Sequence, residues 1–177
     1  LTERLLGEAT SAHEPPHIQP FCEGWEDRIL ALILPIQQVE FGVPITAEDQ
    51  PDLRRIPKVY QAGRGNFWMA LQGDEVVGTL ALIDFGSGGA LRKMFLRVDQ
   101  RGTGLAQALL DTLLRHARET GLTRLFLGTL AQMHAAHRFY EKNGFRAVPP
   151  ESLPNDFPRV PVDNRFYARE LEGAHGL

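Results

Sequence analysis

The sequence predicts an α/β or α+β fold, a mixed sheet flanked by helices. Three observations carry this. Helix-like and strand-like apolar spacings follow one another along the 177 residues in the order βααβββαβαββ. The strongest helical stretch, 103–120, separates two strand-like runs and makes a crossover long enough to leave them parallel. The composition, 43% hydrophobic and 23% charged, suits one domain over 1–177 with a single sizeable core.

Taken in order, residues 1–16 are polar and mixed and read as a loose N-terminal arm. "IQPFCE" (18–23) is a first strand. Trp25, Ile29, Leu32, Ile33, Ile36 and Val39 recur at helical spacing over 24–42, with Pro35 predicting a kink or break. The proline-bearing loop 43–57 holds one short helix, 47–56. "NFWMALQ" (66–72) and "EVVGTLALIDF" (75–85) form a hairpin across Gly73-Asp74, and "GALRKMFLRV" (89–98) is a third strand. Over 103–120, Leu105, Leu109, Leu113 and Ala117 make one row with Leu110 and Leu114 beside it. "TRLFLGTL" (123–130) is a buried strand, "QMHAAHRFYEK" (132–142) a helix closed by Asn143-Gly144, and "FRAV" (145–148) a strand. The proline-rich loop 149–162 leads to a last strand, "NRFYARELE" (164–172). Its Phe166 and Tyr167 suggest an apolar edge that could pair across a homodimer; a monomer is equally compatible.

The formal net charge of −3 implies no general affinity for nucleic acid, although Arg92, Lys93, Arg97 and Arg101 form a local basic cluster. No apolar run reaches the roughly 18 residues of a membrane span. The single cysteine, Cys22, allows no intramolecular disulfide and points to the cytoplasm. It is expected to be buried. His134 and His137 have the spacing of a metal pair but no third ligand nearby, so no metal is expected.

"RGTGLA" (101–106) places two glycines between a strand and the long helix. Such a turn exposes the unpaired N–H groups of the first helical turn, and the helix dipole adds partial positive charge, so it is an anion site. By itself it reads equally well as a plain capped strand-to-helix turn. A P-loop would need Gly-Lys-Ser/Thr where Gly104 is followed by Leu105-Ala106, and a dinucleotide fingerprint would need Gly where Gln107 stands.

The segment "LRKMFLRVDQRGTGLAQALL" resembles the acetyl-CoA-binding segment of the GNAT acyltransferase superfamily, whose pattern Gln/Arg-x-x-Gly-x-Gly/Ala is met by Arg101-x-x-Gly104-x-Ala106. Further on, "AAHRFYEKNGFRAV" is similar to that family's second signature, a helix bearing Phe-Tyr-Glu-Lys-x-Gly-Phe before a strand. The resemblance is firm over 75–148 and implies a mostly antiparallel sheet whose central parallel strands splay apart. It implies that acetyl-CoA is the cosubstrate. Its pyrophosphate would lie on the amides of Gly102, Thr103, Gly104, Leu105, Ala106 and Gln107 after Arg101. Its pantetheine arm would lie against Met94, Phe95 and Leu96 and across from Met133 and Ala136. Met133 departs from the pattern: the family commonly has Asn there, seven residues before the tyrosine, and a thioether cannot make an amide's contacts. Thr129 or Gln132 would have to substitute.

The resemblance also implies that Tyr140 is the general acid that protonates the leaving thiolate. The amide of Phe95 or Leu96 would hold the oxyanion. Glu40 is the chosen candidate for the general base, with Asp84, Glu48 and His134 behind it and a water relay as the alternative. Asp156, Phe157 and Arg159 in the proline-rich loop would shape the acceptor pocket or merely cover an edge. The reading is an N-acetyltransferase that moves acetyl from acetyl-CoA directly to a primary amine of a small molecule or peptide. Direct transfer is preferred because no Cys or Ser stands in a nucleophile setting. A non-catalytic acyl-CoA-binding sensor or interaction domain on the same scaffold is the alternative.

Overall fold

The computed structural model describes residues 14–172, so most of the expected arm over 1–16 lies outside the described residues. Seven strands are present among them: β1 (His17–Pro20), β2 (Asn66–Gln72), β3 (Glu75–Asp84), β4 (Gly89–Leu96), β5 (Arg124–Thr129), β6 (Arg146–Val148) and β7 (Arg165–Glu170). The helices are α1 (Glu26–Pro35), the single turn α2 (Ile56–Val59), α3 (Leu105–Glu119) and α4 (His134–Lys142). The strands form one sheet in the order β1-β2-β3-β4-β5-β7-β6. Every neighbouring pair is antiparallel except β4 and β5, which the α3 crossover leaves parallel.

Alternation along the strands splits the apolar residues between two faces. Trp68, Leu80 and Leu82 point to one face, where they pack with Leu105, Leu109, Leu113 and Ala117 of α3 and with Tyr140 of α4. Phe67, Met69 and Ala81 point to the other, against Ile29 and Ile33 of α1 and Ile56 of α2. A smaller cluster at one end of the sheet joins Ala90, Phe126 and Phe166 to Phe157.

Pro35 does not break the expected 24–42 helix. The chain passes through it into a wider π-helical turn, Ile36–Glu40, in which the amide of Phe41 reaches the carbonyl of Ile36 at 3.0 Å. Proline has no N–H to give, and slipping by one residue restores the ladder beyond it. The expected helix over 47–56 is instead a 3₁₀ turn, Pro51–Arg54, followed by α2. Two further expectations fail. Phe166 and Tyr167 are 1% and 0% exposed, because β7 is inserted between β5 and β6 and is no edge. Cys22 is exposed.

Candidate active site

The parallel pair is the feature that makes a site. β4 and β5 pair only at Gly89–Leu125 and Ala90–Phe126. Beyond that the strands part, and a cavity of about 290 Å³ opens between them. Met94 and Phe95 on β4, Thr129 at the end of β5, and Met133, Ala136 and Tyr140 on the α4 side all line it. Sequence reasoning placed these residues together, and the geometry brings them together.

Two details of β4 shape its wall. An extra residue is inserted between the pairs Ala81–Arg92 and Thr79–Phe95, a β-bulge. Lys93 adopts φ 55°, the left-handed conformation, and the buried hydroxyl of Thr79 donates to its carbonyl at 2.7 Å. Arg92 and Lys93 consequently share a face. Lys93 reaches Gln50 (2.8 Å) and Asp52 (3.4 Å), while Arg92 donates to the carbonyl of Pro158. Burial pushes the Lys93 ammonium below its usual range, with Asp52 opposing that shift. The second detail concerns the amides. Arg97 donates to Val77 at 2.9 Å, so the alternation of an antiparallel strand turns the amide of Phe95 to β3 and that of Leu96 to the gap.

β4 ends in a 3₁₀ turn, Val98–Gln100, and the glycine turn follows. Gly102 and Gly104 have φ of 73° and 91°. A Cβ at either would meet nothing within 4 Å, so the left-handed backbone, not crowding, calls for glycine. Thr103 Oγ1 donates to Gln100 at 2.5 Å and fixes the turn. Ala108 is the first residue after the turn whose amide finds a backbone carbonyl, that of Gly104 at 3.0 Å; the amides of 102–107 have none among the described residues. Leu105 is buried and Ala106 packs on the core, which seats the helix end firmly.

Gln107 does something sequence reasoning missed. Its side-chain amide exchanges two hydrogen bonds with Asn143, at 2.8 and 3.1 Å. Asn143 also closes α4 by donating to the Phe139 carbonyl at 2.9 Å. The glycine turn and the "FYEKNGF" helix, read separately in the chain, are thus bonded to each other.

Tyr140 packs on the rings of Phe139, Phe145 and Tyr167, with its side chain on the cavity. Burial pushes its hydroxyl up to about 12. Thr129 Oγ1 donates to the Met133 sulfur at 3.6 Å. Gln132 is exposed and off the cavity wall.

The candidate bases are placed differently. Glu40 is not on this cavity. Arg101 grips it through both terminal guanidinium nitrogens, which holds its carboxyl below the usual range, and the same Arg101 donates to the Leu96 carbonyl at 3.1 and 3.3 Å. Asp84 is taken by Arg64, at 2.9 and 3.0 Å, and held well below the carboxylate range chiefly by those bonds. Glu48 and His134 are exposed and off the wall. His137 is buried and its Nε2 meets the carbonyl of Leu130 at 2.9 Å. In the proline-rich loop, Asp156 accepts from Ser87 at 2.6 Å, Phe157 is core, and Arg159 lies over the Phe166 ring at 4.8 Å. The loop residues on the cavity wall are instead Val160, Val162 and Asp163. Asp163 carries the acid that sequence reasoning overlooked, and burial raises its pKa, with Arg92 opposing.

A family model described as the acetyltransferase (GNAT) family matches residues 30–145. The chain belongs to that family. Acetyl-CoA is the cosubstrate of GNAT enzymes. A solved GNAT acetyltransferase from Staphylococcus aureus is 35% identical, with TM-score 0.84 over 89% of this chain and 99% of that one. An acetyltransferase from Streptococcus agalactiae is 28% identical, with the same TM-score and coverage. Among curated proteins, N-acetyltransferase 8F1 of Rattus norvegicus is 35% identical over 101 residues, 54% of this chain and 46% of that protein. N-acetylaspartate synthetase of Danio rerio is 32% identical over 122 residues, 66% of this chain and 43% of that protein. The chain spans about half the length of the curated relatives it matches.

Proposed function

We propose that this protein is an N-acetyltransferase that moves the acetyl group of acetyl-CoA directly onto a primary amine. The observation that carries the reading is the cavity between β4 and β5, continuous in the chain with a glycine turn whose amides lack acceptors. The pyrophosphate sits on the amides of 102–107, and the pantetheine arm follows the open edge of β4 between Met94, Phe95 and Leu96 on one wall and Met133 and Ala136 on the other. The Leu96 amide faces the gap and is the donor to the oxyanion.

The amine nitrogen attacks the thioester carbonyl, and the C–N bond forms as the C–S bond breaks. The Tyr140 hydroxyl gives its proton to the departing thiolate and regains one from the nitrogen of the adduct. A hydroxyl pushed up to about 12 is a donor throughout the neutral range. We assign Glu40 to holding Arg101 and the end of β4, not to base catalysis, since a carboxylate with a lowered pKa and two guanidinium bonds is a poor proton acceptor. The exposed, unpaired Cys22 suits a reducing compartment such as the cytoplasm.

Thermal unfolding with acetyl-CoA, CoA and ATP tests this. Acetyl-CoA at 100 times its dissociation constant stabilises by about 2.7 kcal/mol, a clear shift in midpoint. The wild type should respond to acetyl-CoA and CoA but not to ATP, and Gly104→Glu should lose the response. No response at saturating coenzyme would overturn the reading. With the shift in hand, thiol release over a panel of amines separates an enzyme from a binding module.

A further inference from the structure

Most ionic side chains around the site are matched within the chain. Lys93 has Asp52 and Gln50, and Asp52 also accepts from the Tyr60 hydroxyl at 2.5 Å. Arg101 has Glu40, Arg97 has Glu75 and Asp99, and Arg64 has Asp84. Two groups on the cavity wall, Arg92 and Asp163, form no ion pair among the described residues, although Arg92 is near enough to favour the Asp163 carboxylate. Arg92 is half-buried and makes its side-chain bond to the Pro158 carbonyl, with no carboxylate at ion-pair distance among the described residues. A guanidinium has five N–H donors, so most of its capacity is unused. Asp163 is also half-buried, and its carboxylate accepts no hydrogen bond from the described residues. It lies directly on Gly128 of β5, where a Cβ would collide with its carboxylate oxygen. The bare glycine therefore lets an acid lie on the far wall of the gap.

A cation on the β4 wall and an anion on the β5 wall, attracting each other without direct contact, fit a ligand that bears both charges and bridges them. Half-buried charges without a contacting partner cost stability, and a zwitterion answers both at once. We propose that the acceptor is an amine carrying its own carboxylate, an amino acid or close derivative, whose carboxylate is received by Arg92 and whose amino group is received by Asp163. This rests on the acetyltransferase reading above. Polyamines, lysine side chains and peptide N-termini would satisfy Asp163 and leave Arg92 unanswered. The bulge is what makes the arrangement possible. It puts Lys93 and Arg92 on the same face of the cavity, where Lys93 is taken by Asp52 and Arg92 has no carboxylate in contact among the described residues.

The test is thiol release from acetyl-CoA with L-amino acids, each beside its carboxamide and its decarboxylated amine, for wild type, Arg92→Met and Asp163→Asn. In the wild type, kcat/KM for the preferred amino acid should exceed that for its amide and its amine by about 10- to 100-fold, the range of a charge-assisted ion pair. Arg92→Met should abolish that preference, raising KM for the acid while leaving the amide unchanged. Asp163→Asn should weaken acid, amide and amine alike. In both variants the acetyl-CoA thermal shift should persist, which shows that they fold. Equal turnover of acids, amides and amines by the wild type, or equal losses for acid and amide in Arg92→Met, would overturn the assignment while leaving the acetyltransferase reading standing. Absence of both thiol release and an acetyl-CoA shift would overturn both.

Discussion

The surroundings of Tyr140 favour its protonated form, as the proton-donating role proposed for it requires. Burial favours the neutral phenol, so the group holds its proton well past pH 10 instead of beginning to lose it near there. Two outcomes follow. Tyr140→Phe should lower kcat by about 100-fold, in the range for loss of a general acid, and keep the acetyl-CoA thermal shift. The wild-type kcat profile should show no fall from phenol ionisation between about pH 7 and pH 10, measured by thiol release. Gly104 makes a sharper single-residue case. Its φ is left-handed and its surroundings are open, so Gly104→Ala should cost about 1–2 kcal/mol in urea unfolding through backbone strain, with no packing loss. The glycine turn was legible in the sequence as a local pattern between strand and helix, and Tyr140 was singled out by the family resemblance of "FYEKNGF". Asp163 was not. It gains meaning only by resting on Gly128, a residue remote in the chain, and one acid in a proline-rich loop gives no local sign of that contact.

Between elements, the informative contact is the Gln107–Asn143 amide pair joining the start of α3 to the end of α4. A double-mutant cycle with Gln107→Ala and Asn143→Ala should return a coupling of about 1 kcal/mol, read from chemical denaturation. A second link ties the segment before β2 to the β3–β4 turn. Asp84 accepts from the Arg64 backbone and guanidinium and from the Gly86 amide at 3.0 Å. Its folded pKa is depressed, so its stabilising contribution is present above the ordinary aspartate value of about 3.9 and is lost as pH falls below it. The difference in unfolding free energy between wild type and Arg64→Met should therefore shrink between pH 6 and about pH 3, measured by urea titration. The hairpin, α3 and α4 were readable from their apolar periods. The π-helical turn at Ile36–Glu40 was not, because periodicity registers that Pro35 disturbs a helix without telling how the ladder recovers. The place of β7 was hidden for another reason: its apolar Phe166 and Tyr167 fit an edge that pairs across a dimer as well as an inner strand, and do not say which strands flank it.

For the whole molecule, one sheet carries both large cores, so the two faces should unfold together. Trp68 belongs to the α3 face and Trp25 packs against the α1 face. Fluorescence of Trp25→Phe and of Trp68→Phe during urea unfolding should give each core its own reporter, with transitions of matching steepness and coincidence with far-UV circular dichroism in each variant. Probe-dependent midpoints within one variant would mean that the faces are separable. The overall class and the splayed pair were anticipated because crossover length and two motifs constrain them. The bulge in β4 was not, since an inserted residue leaves the composition of a strand unchanged. Its consequence reaches beyond this cavity. An added residue resets the odd-even parity of a strand, so the stretch ahead of Lys93 and the stretch behind it are independently phased. On the acetyltransferase reading, positions 92 and 93 can then be rewritten toward a different acceptor while the β4 amides beyond them keep their orientation. One chain position serves as a coupling joint between two stretches of a strand that can be varied apart.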